Sequence, residues 1–328
     1  MAVTHGGNIF SVARHESVAW QQILDFSASI NPLGPSPAAR EAIFSAVDRI
    51  AHYPDRTASR LRDRLGDEWG VTPEKVIAGN GATELLFDWC RYFGNGTIAS
   101  PAFGEFHRAW PDARLCSLAD RRTWPTGGPV VLTRPANPTG TLIGADAVLQ
   151  YAQGRTDAVL VDESFLDFCE APSLTGHAGK NLFVLRSLTK FWALPGLRIG
   201  ALVGDVGALT PMRPPWPVNV LAEAAALASI DDRDHATRTR AFVRTESAWL
   251  AGELARLPEL RVWEPVANYL FVETDRAPEL TAYAATRGVL LRDCSGWPGF
   301  DPQGFRVAVR KHWENEILIQ ICKEYLCG

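Results

Sequence analysis

The chain is missing the marks of several protein classes. It has no block of basic residues, and 33 Lys and Arg against 37 Asp and Glu leave a formal net charge of −4. A nucleic-acid partner calls for a cationic stripe, so that class is set aside. No hydrophobic run is long enough for a bilayer span. The longest mostly apolar stretch, 218–230, is too short and carries Glu223. The cysteines at 90, 116, 169, 294, 322 and 327 form no CxxC pair. They read as reduced thiols of a cytoplasmic protein, without a disulfide frame or a metal site. The opening residues MAVTHGGN lack the charged-then-apolar pattern of a secretion signal. Neither the GxGxxG dinucleotide fingerprint nor the GxxxxGK[ST] phosphate loop occurs, and no internal repeat or low-complexity tract is found.

What remains is the composition of a soluble globular protein, with 46% hydrophobic and 21% charged residues over 328 positions. That length allows one large domain or two unequal ones. Eleven tryptophans call for large buried or interfacial surfaces.

Between 75 and 205 short β-rich runs alternate with helical stretches. That alternation predicts a mostly parallel sheet with helices on both faces. The spacing predicts strands over 75–79, 96–101, 129–134, 157–161, 180–185 and 199–203. Helices are predicted over 37–50, with Ser36 as cap and Pro37 in the first turn, over 58–69, and after Gly81. Gly81, Asn137, Asp162 and Ser187 each follow the end of a predicted strand, so parallel strands would bring them to one edge. The run GNGATE passes from strand through a glycine turn into a helix, an arrangement suited to binding an anion. Four prolines within 211–217 mark a hinge, and a smaller α+β unit is predicted beyond it.

The stretch RSLTKFWALPGLRIG (186–200) carries the most chemistry. Lys190 sits among apolar neighbours, after Ser187 and Thr189 and before Arg198. A lysine that reacts with an aldehyde must spend time as the free amine, which burial and nearby cations promote. Short hydroxyls and a guanidinium suit a phosphate.

In order, GNGATE, PAFGEF, NPTG, DESF and SLTK-x7-RxG resemble the fold-type I, aspartate-aminotransferase-like enzymes that use pyridoxal 5′-phosphate, over essentially the whole chain. Within these the chain is similar to the histidinol-phosphate aminotransferase group. HGGN, FSASINPLG, YPD, GNGATEL, VDESFLDF and LRDCSGWPGF are similar to the L-threonine-O-3-phosphate decarboxylases of cobalamin biosynthesis.

The resemblance implies an α/β fold: an N-terminal segment (1–26) near the active site and small domain, a large cofactor-binding domain (27–210) and a small C-terminal domain (211–328). It implies that Lys190 carries the cofactor, Asp162 faces the pyridine nitrogen and Asn137 donates to the ring oxygen. Phe103 would cover the ring. Gly81, Ala82, Thr83, Ser187, Thr189 and Arg198 would hold the phosphate. Tyr53 would reach that phosphate across the interface of a homodimer with shared sites. Arg306 would bind the substrate carboxylate, with Arg292 a second anion contact and His5, Asn8 and Asn31 candidates for the substrate's phosphate. Phe165 departs from the tyrosine common in the group, leaving Asn137 to serve the ring oxygen alone. Aminotransferase activity, or a weakly catalytic partner role in corrin assembly, are the alternatives.

Overall fold

The computed structural model describes residues 6–328. His5 lies outside them. The first elements are α1 (Ile9–Glu16), β1 (Leu24–Asp25), α2 (Pro37–Ser45) and α3 (Ser59–Trp69). Ser36 caps α2 by accepting from the Ala39 amide at 3.1 Å. The helix predicted to reach 50 stops at Ser45 and continues as a 3-10 turn, Val47–Ala51. Ile50 is exposed, so its side chain adds no apolar burial among the described residues to hold that turn in α form.

There follow β2 (Val76–Gly79), α4 (Ala82–Phe93), β3 (Thr97–Ser100), α5 (Gly104–Ala109), β4 (Arg114–Ser117), β5 (Val130–Thr133), α6 (Ala145–Gln153), β6 (Val159–Asp162), β7 (Leu182–Ser187) and β8 (Gly200–Val203). Their strands form a seven-stranded sheet in the order β2-β8-β7-β6-β5-β3-β4. All neighbours are parallel except those of β8, which runs against β2 and β7. This is the predicted mostly parallel sheet. The edge strand β4 was not predicted; it is largely exposed and carries no apolar run. The inner strands β3, β5, β6, β7 and β8, and the other edge strand β2, are buried throughout, as expected of a sheet covered on both faces. Leu85, Leu86, Trp89 and Cys90 form the buried face of α4. Each large apolar side chain removed from water there contributes roughly 1.5–3 kcal/mol.

The chain then forms α7 (Val220–Asp231), α8 (Arg233–Leu254), β9 (Arg261–Val262), β10 (Tyr269–Glu273), α9 (Ala277–Ala285), β11 (Val289–Leu290), β12 (Arg292–Asp293), β13 (Gly304–Ala308) and α10 (His312–Cys327). A four-stranded antiparallel sheet runs β12-β13-β10-β9. The prolines of 211–217 do not separate two cores. Ala222, Ala225 and Val243 pack with Leu61, Leu65 and Phe191, whereas Leu250 and Leu254 pack with Phe305 and Leu318. Helix α8 therefore passes from one core into the other. The early segment lies on the small sheet's side: β1 pairs in parallel with β11, and Ala13 and Ile23 pack on Leu290.

Candidate active site

Register brings the strand ends together. Thr133 pairs with Asp162, Asp162 with Leu185, and both Ser187 and Gly79 with Gly200. Because β8 is antiparallel, it begins where its neighbours end. Arg198 thus enters beside the turn at Asn80 and Gly81 and the start of α4. Two glycines make this approach possible. A Cβ on Gly81, whose φ is +85°, would sit 2.4 Å from Arg198 Nη2, and one on Gly200 would sit 2.4 Å from the Ala82 amide nitrogen.

One cavity of about 280 Å³ collects most of the predicted residues: Ala82, Thr83, Phe103, Asn137, Asp162, Ser187, Thr189, Lys190, Arg198, Arg292 and Arg306. Gly81 stands beside it, against Arg198. Three predicted residues lie elsewhere. Tyr53 is 81% exposed and stacks on Trp216 at 4.6 Å. Asn8 is exposed at the start of α1. Asn31 is buried and fully used within the chain: its amide donates to the Phe191 carbonyl at 2.8 Å and to Thr239 Oγ1 at 2.9 Å, and its Oδ1 accepts from the Leu33 amide. Both donors of Asn31 are therefore committed to ordering the segment before α2. Gly6, Ser27, Ser29, Thr133 and Trp297 line the cavity without having been singled out. Ser27, Ser29 and Trp297 stand inside the motifs FSASINPLG and LRDCSGWPGF, which was the available signal.

Lys190 is only partly exposed, and burial pushes its pKa down to about 8, helped by the charges of Arg306 and Arg198 and opposed by Asp162. Burial pushes the Asp162 carboxyl up, partly offset by Ser164. The Ser164 hydroxyl and amide both donate to Asp162 Oδ1, at 2.5 and 2.9 Å, and no described residue donates to Oδ2. Ser187 and Thr189 hydroxyls lie 2.8 Å apart. Phe165 lines the cavity and meets Tyr269 edge-on at 4.9 Å.

Arg306 on β13 donates to Asn137 Oδ1 at 2.6 Å and to the Ser27 carbonyl, and its Nε has no partner among the described residues. Thr133 Oγ1 and Ser29 Oγ, also in the cavity, are buried without partners as well. Buried polar atoms are normally satisfied, so this cluster is built to receive a polar ligand.

Behind the cavity a buried ionic layer ties the same strand ends. Glu163 takes Arg134 Nη1 at 2.7 Å on Oε1 and Arg186 Nη1 at 3.0 Å on Oε2, and it also accepts from Ser173 Oγ and the Leu174 amide. Arg134, Glu163 and Arg186 each adjoin a cavity residue: Thr133, Asp162 and Ser187. On β6 and β7 alternation sends one neighbour to the cavity and the next to this layer.

The residues present fit pyridoxal 5′-phosphate. The glycine cradle, the start of α4, two hydroxyls and Arg198 suit its phosphate. Asp162 Oδ2 suits its pyridine nitrogen, Asn137 its ring oxygen, Phe103 its ring, and Lys190 its aldehyde.

Comparison with known proteins agrees. The family described as "Aminotransferase class I and II" matches residues 21–321. A threonine-phosphate decarboxylase of Salmonella typhimurium is 34% identical over 99% of this chain and 97% of its own. A histidinol-phosphate aminotransferase of Methanothermobacter thermautotrophicus is 31% identical over 97% and 93%. Among solved structures, the L-threonine-O-3-phosphate decarboxylase of Porphyromonas gingivalis superposes with a TM-score of 0.86 at 22% identity, covering 93% of this chain and 100% of that one. The chain belongs to the class I and II aminotransferase family, whose cofactor is pyridoxal 5′-phosphate.

Proposed function

We propose that this protein decarboxylates L-threonine O-3-phosphate, releasing CO2 and (R)-1-amino-2-propanol O-2-phosphate for the cobalamin side chain. One observation carries the reading. Arg292 and Arg306 are direct cross-strand partners on β12 and β13, both line the cavity, and neither forms an ion pair among the described residues. Like charges directly opposite destabilise a sheet by up to about 1 kcal/mol. Burial also pushes both arginines' pKa values down. Such a pair makes sense when a ligand brings two anionic groups, as a phosphorylated amino acid does.

Arg306, held by Asn137 and Ser27, grips the carboxylate in a fixed place. Arg292 takes the phosphate. Two held anions fix two directions at the substrate's α-carbon and so decide which bond is presented for cleavage. When bound, the cofactor supplies the sink for the electron pair that CO2 leaves behind. Asp162 keeps the pyridine nitrogen protonated. Lys190 Nζ, with a pKa of about 8, returns a proton to the α-carbon. Phe165, Phe103 and Trp297 limit water around these groups.

The working form is a homodimer in the cytoplasm. Phe44, Ile50, Tyr53 and Trp216 are exposed apolar side chains, and Ile50 and Trp216 line a groove with Asn80 and Glu84, beside the phosphate turn. A second copy covering this face would bring its Tyr53 toward that turn. Sedimentation at micromolar concentration is expected to give twice the chain mass; a monomer that is fully active removes the shared site.

The reaction is tested by incubating the holoenzyme with O-phospho-L-threonine and no 2-oxo acid. Sustained CO2 release is expected. Turnover that starts only when a 2-oxo acid is added would make the protein an aminotransferase instead.

A further inference from the structure

We propose that Trp297 determines substrate specificity by fixing the span between the substrate's two anionic groups. It admits amino acids phosphorylated on the β-carbon's oxygen and rejects those one carbon longer. The inference rests on the decarboxylase reading for the identity of the substrate, and it concerns a residue to which that reading gives no role beyond excluding water.

Trp297 lines the cavity beside Arg292. The Arg292 guanidinium lies over its ring at 5.4 Å. A cation so placed is attracted by the ring face and is restrained from swinging away. The ring in turn is held from both domains. Its Nε1–H donates to the Ala102 carbonyl at 3.0 Å, next to Phe103. The Ser100 hydroxyl donates to the Pro298 carbonyl. Gly299, with φ +66°, lies so close to Ser100 that a Cβ there would meet the serine Cβ at 2.9 Å. On the other side Phe300 packs edge-on against Phe271 at 5.3 Å, and the Phe300 amide closes onto the Trp297 carbonyl at 3.0 Å. The loop that carries Trp297 is therefore pinned between the large sheet's edge at 100–102 and the small sheet.

Arg306 is equally fixed on its own strand by Asn137 and Ser27. The two cationic heads thus stand at a set separation. A longer substrate would have to push Arg292 into the indole or give up one anion contact. The Arg292 guanidinium has no hydrogen bond from the described residues to hold it in place, so the ring is what restrains it.

The test uses holoenzyme and two diacids without an amino group, 4-phosphonobutyrate and 5-phosphonopentanoate. Their lengths match O-phospho-L-threonine and its one-carbon-longer homologue. Equilibrium binding is read from the cofactor's absorbance, so no turnover is needed. The unmodified protein is expected to prefer the shorter diacid by roughly 10- to 200-fold, the discrimination that one methylene supports in a shaped pocket. Trp297→Leu and Trp297→Ala are expected to reduce that preference at least about tenfold, chiefly by tightening the longer diacid. Trp297→Phe, which keeps a ring beside Arg292, is expected to retain most of it. In CO2 release, the Leu variant should raise KM for O-phospho-L-threonine more than it lowers kcat.

An unmodified protein indifferent to diacid length would overturn the inference. So would a Leu variant with unchanged length preference, or equal losses in the Phe and Leu variants. Absence of CO2 release from O-phospho-L-threonine by the unmodified enzyme would instead count against the decarboxylase reading, while the binding measurements still judge Trp297.

Discussion

Lys190→Ala is expected to lower kcat/KM for CO2 release by at least about 10,000-fold, because in the proposed function one side chain both carries the cofactor and moves the proton. The assay is steady-state CO2 release from O-phospho-L-threonine, with cofactor content followed by absorbance so that lost chemistry is separated from lost binding. A loss below tenfold would displace Lys190 from the centre of the site. The environment of this amine adds a pH dependence. Burial first, then Arg306 and Arg198, bring its pKa from an ordinary 10.5 to about 8, against the pull of Asp162. Below pH 8 the neutral amine becomes scarcer by about tenfold per unit. Capture of the cofactor aldehyde by the apoenzyme should slow accordingly below pH 8 and level off above it, as rapid mixing would show.

The same shift has a consequence for stability. The folded-state pKa is depressed, so between pH 8 and 10.5 the unfolded chain binds more protons than the folded one. Stability should therefore rise with pH through that window. The cost of keeping Lys190 is complete below pH 8 and fades toward 10.5. A Lys190→Met apoenzyme should accordingly melt higher than the unmodified apoenzyme at pH 7, by a margin that shrinks as pH rises.

Glu163→Gln is the second large effect, a loss of about 3–5 kcal/mol in stability. Glu163 is buried, as are the arginines on either side, Arg134 and Arg186. Removing its charge leaves two guanidinium groups in a low-dielectric layer. Arg186 keeps Asp167, whereas Arg134 keeps only the carbonyls of Ile143 and Pro172. Denaturant unfolding of the holoenzyme, followed by tryptophan fluorescence, measures the loss. A change below about 1 kcal/mol would mean that these arginines reach water or another anion, and the layer would not be the tie proposed for the strand ends.

Much of the fold could be read before the structure, for a physical reason. Inner strands of a covered sheet are continuous apolar runs, and turn chemistry at Gly81 and at 137–140 punctuates them. The meeting of Asp162, Ser187 and Asn137 at one edge followed from the parallel pattern, whereas the strand order came only with the structure. β4 escaped because an exposed edge strand needs no apolar signature. The extent of α2 was overstated because spacing alone does not reveal whether a partner covers Ile50.

The catalytic side of the site was local in sequence. Lys190, its hydroxyl neighbours and Arg198 lie within one stretch, and each strand end announces itself by its own residues. Tertiary structure alone decided the substrate side. It turned β8 antiparallel, which set Arg198 against the Gly81 turn. It took Asn31 out of the cavity by giving its amide two buried partners, Phe191 and Thr239, both distant in sequence. It set Arg292 opposite Arg306 and placed the Trp297 ring against Arg292. Residue type and spacing encode what a strand end can bind. The distance between two groups on different elements is encoded only in how those elements pack, and on the proposal above that distance selects the substrate.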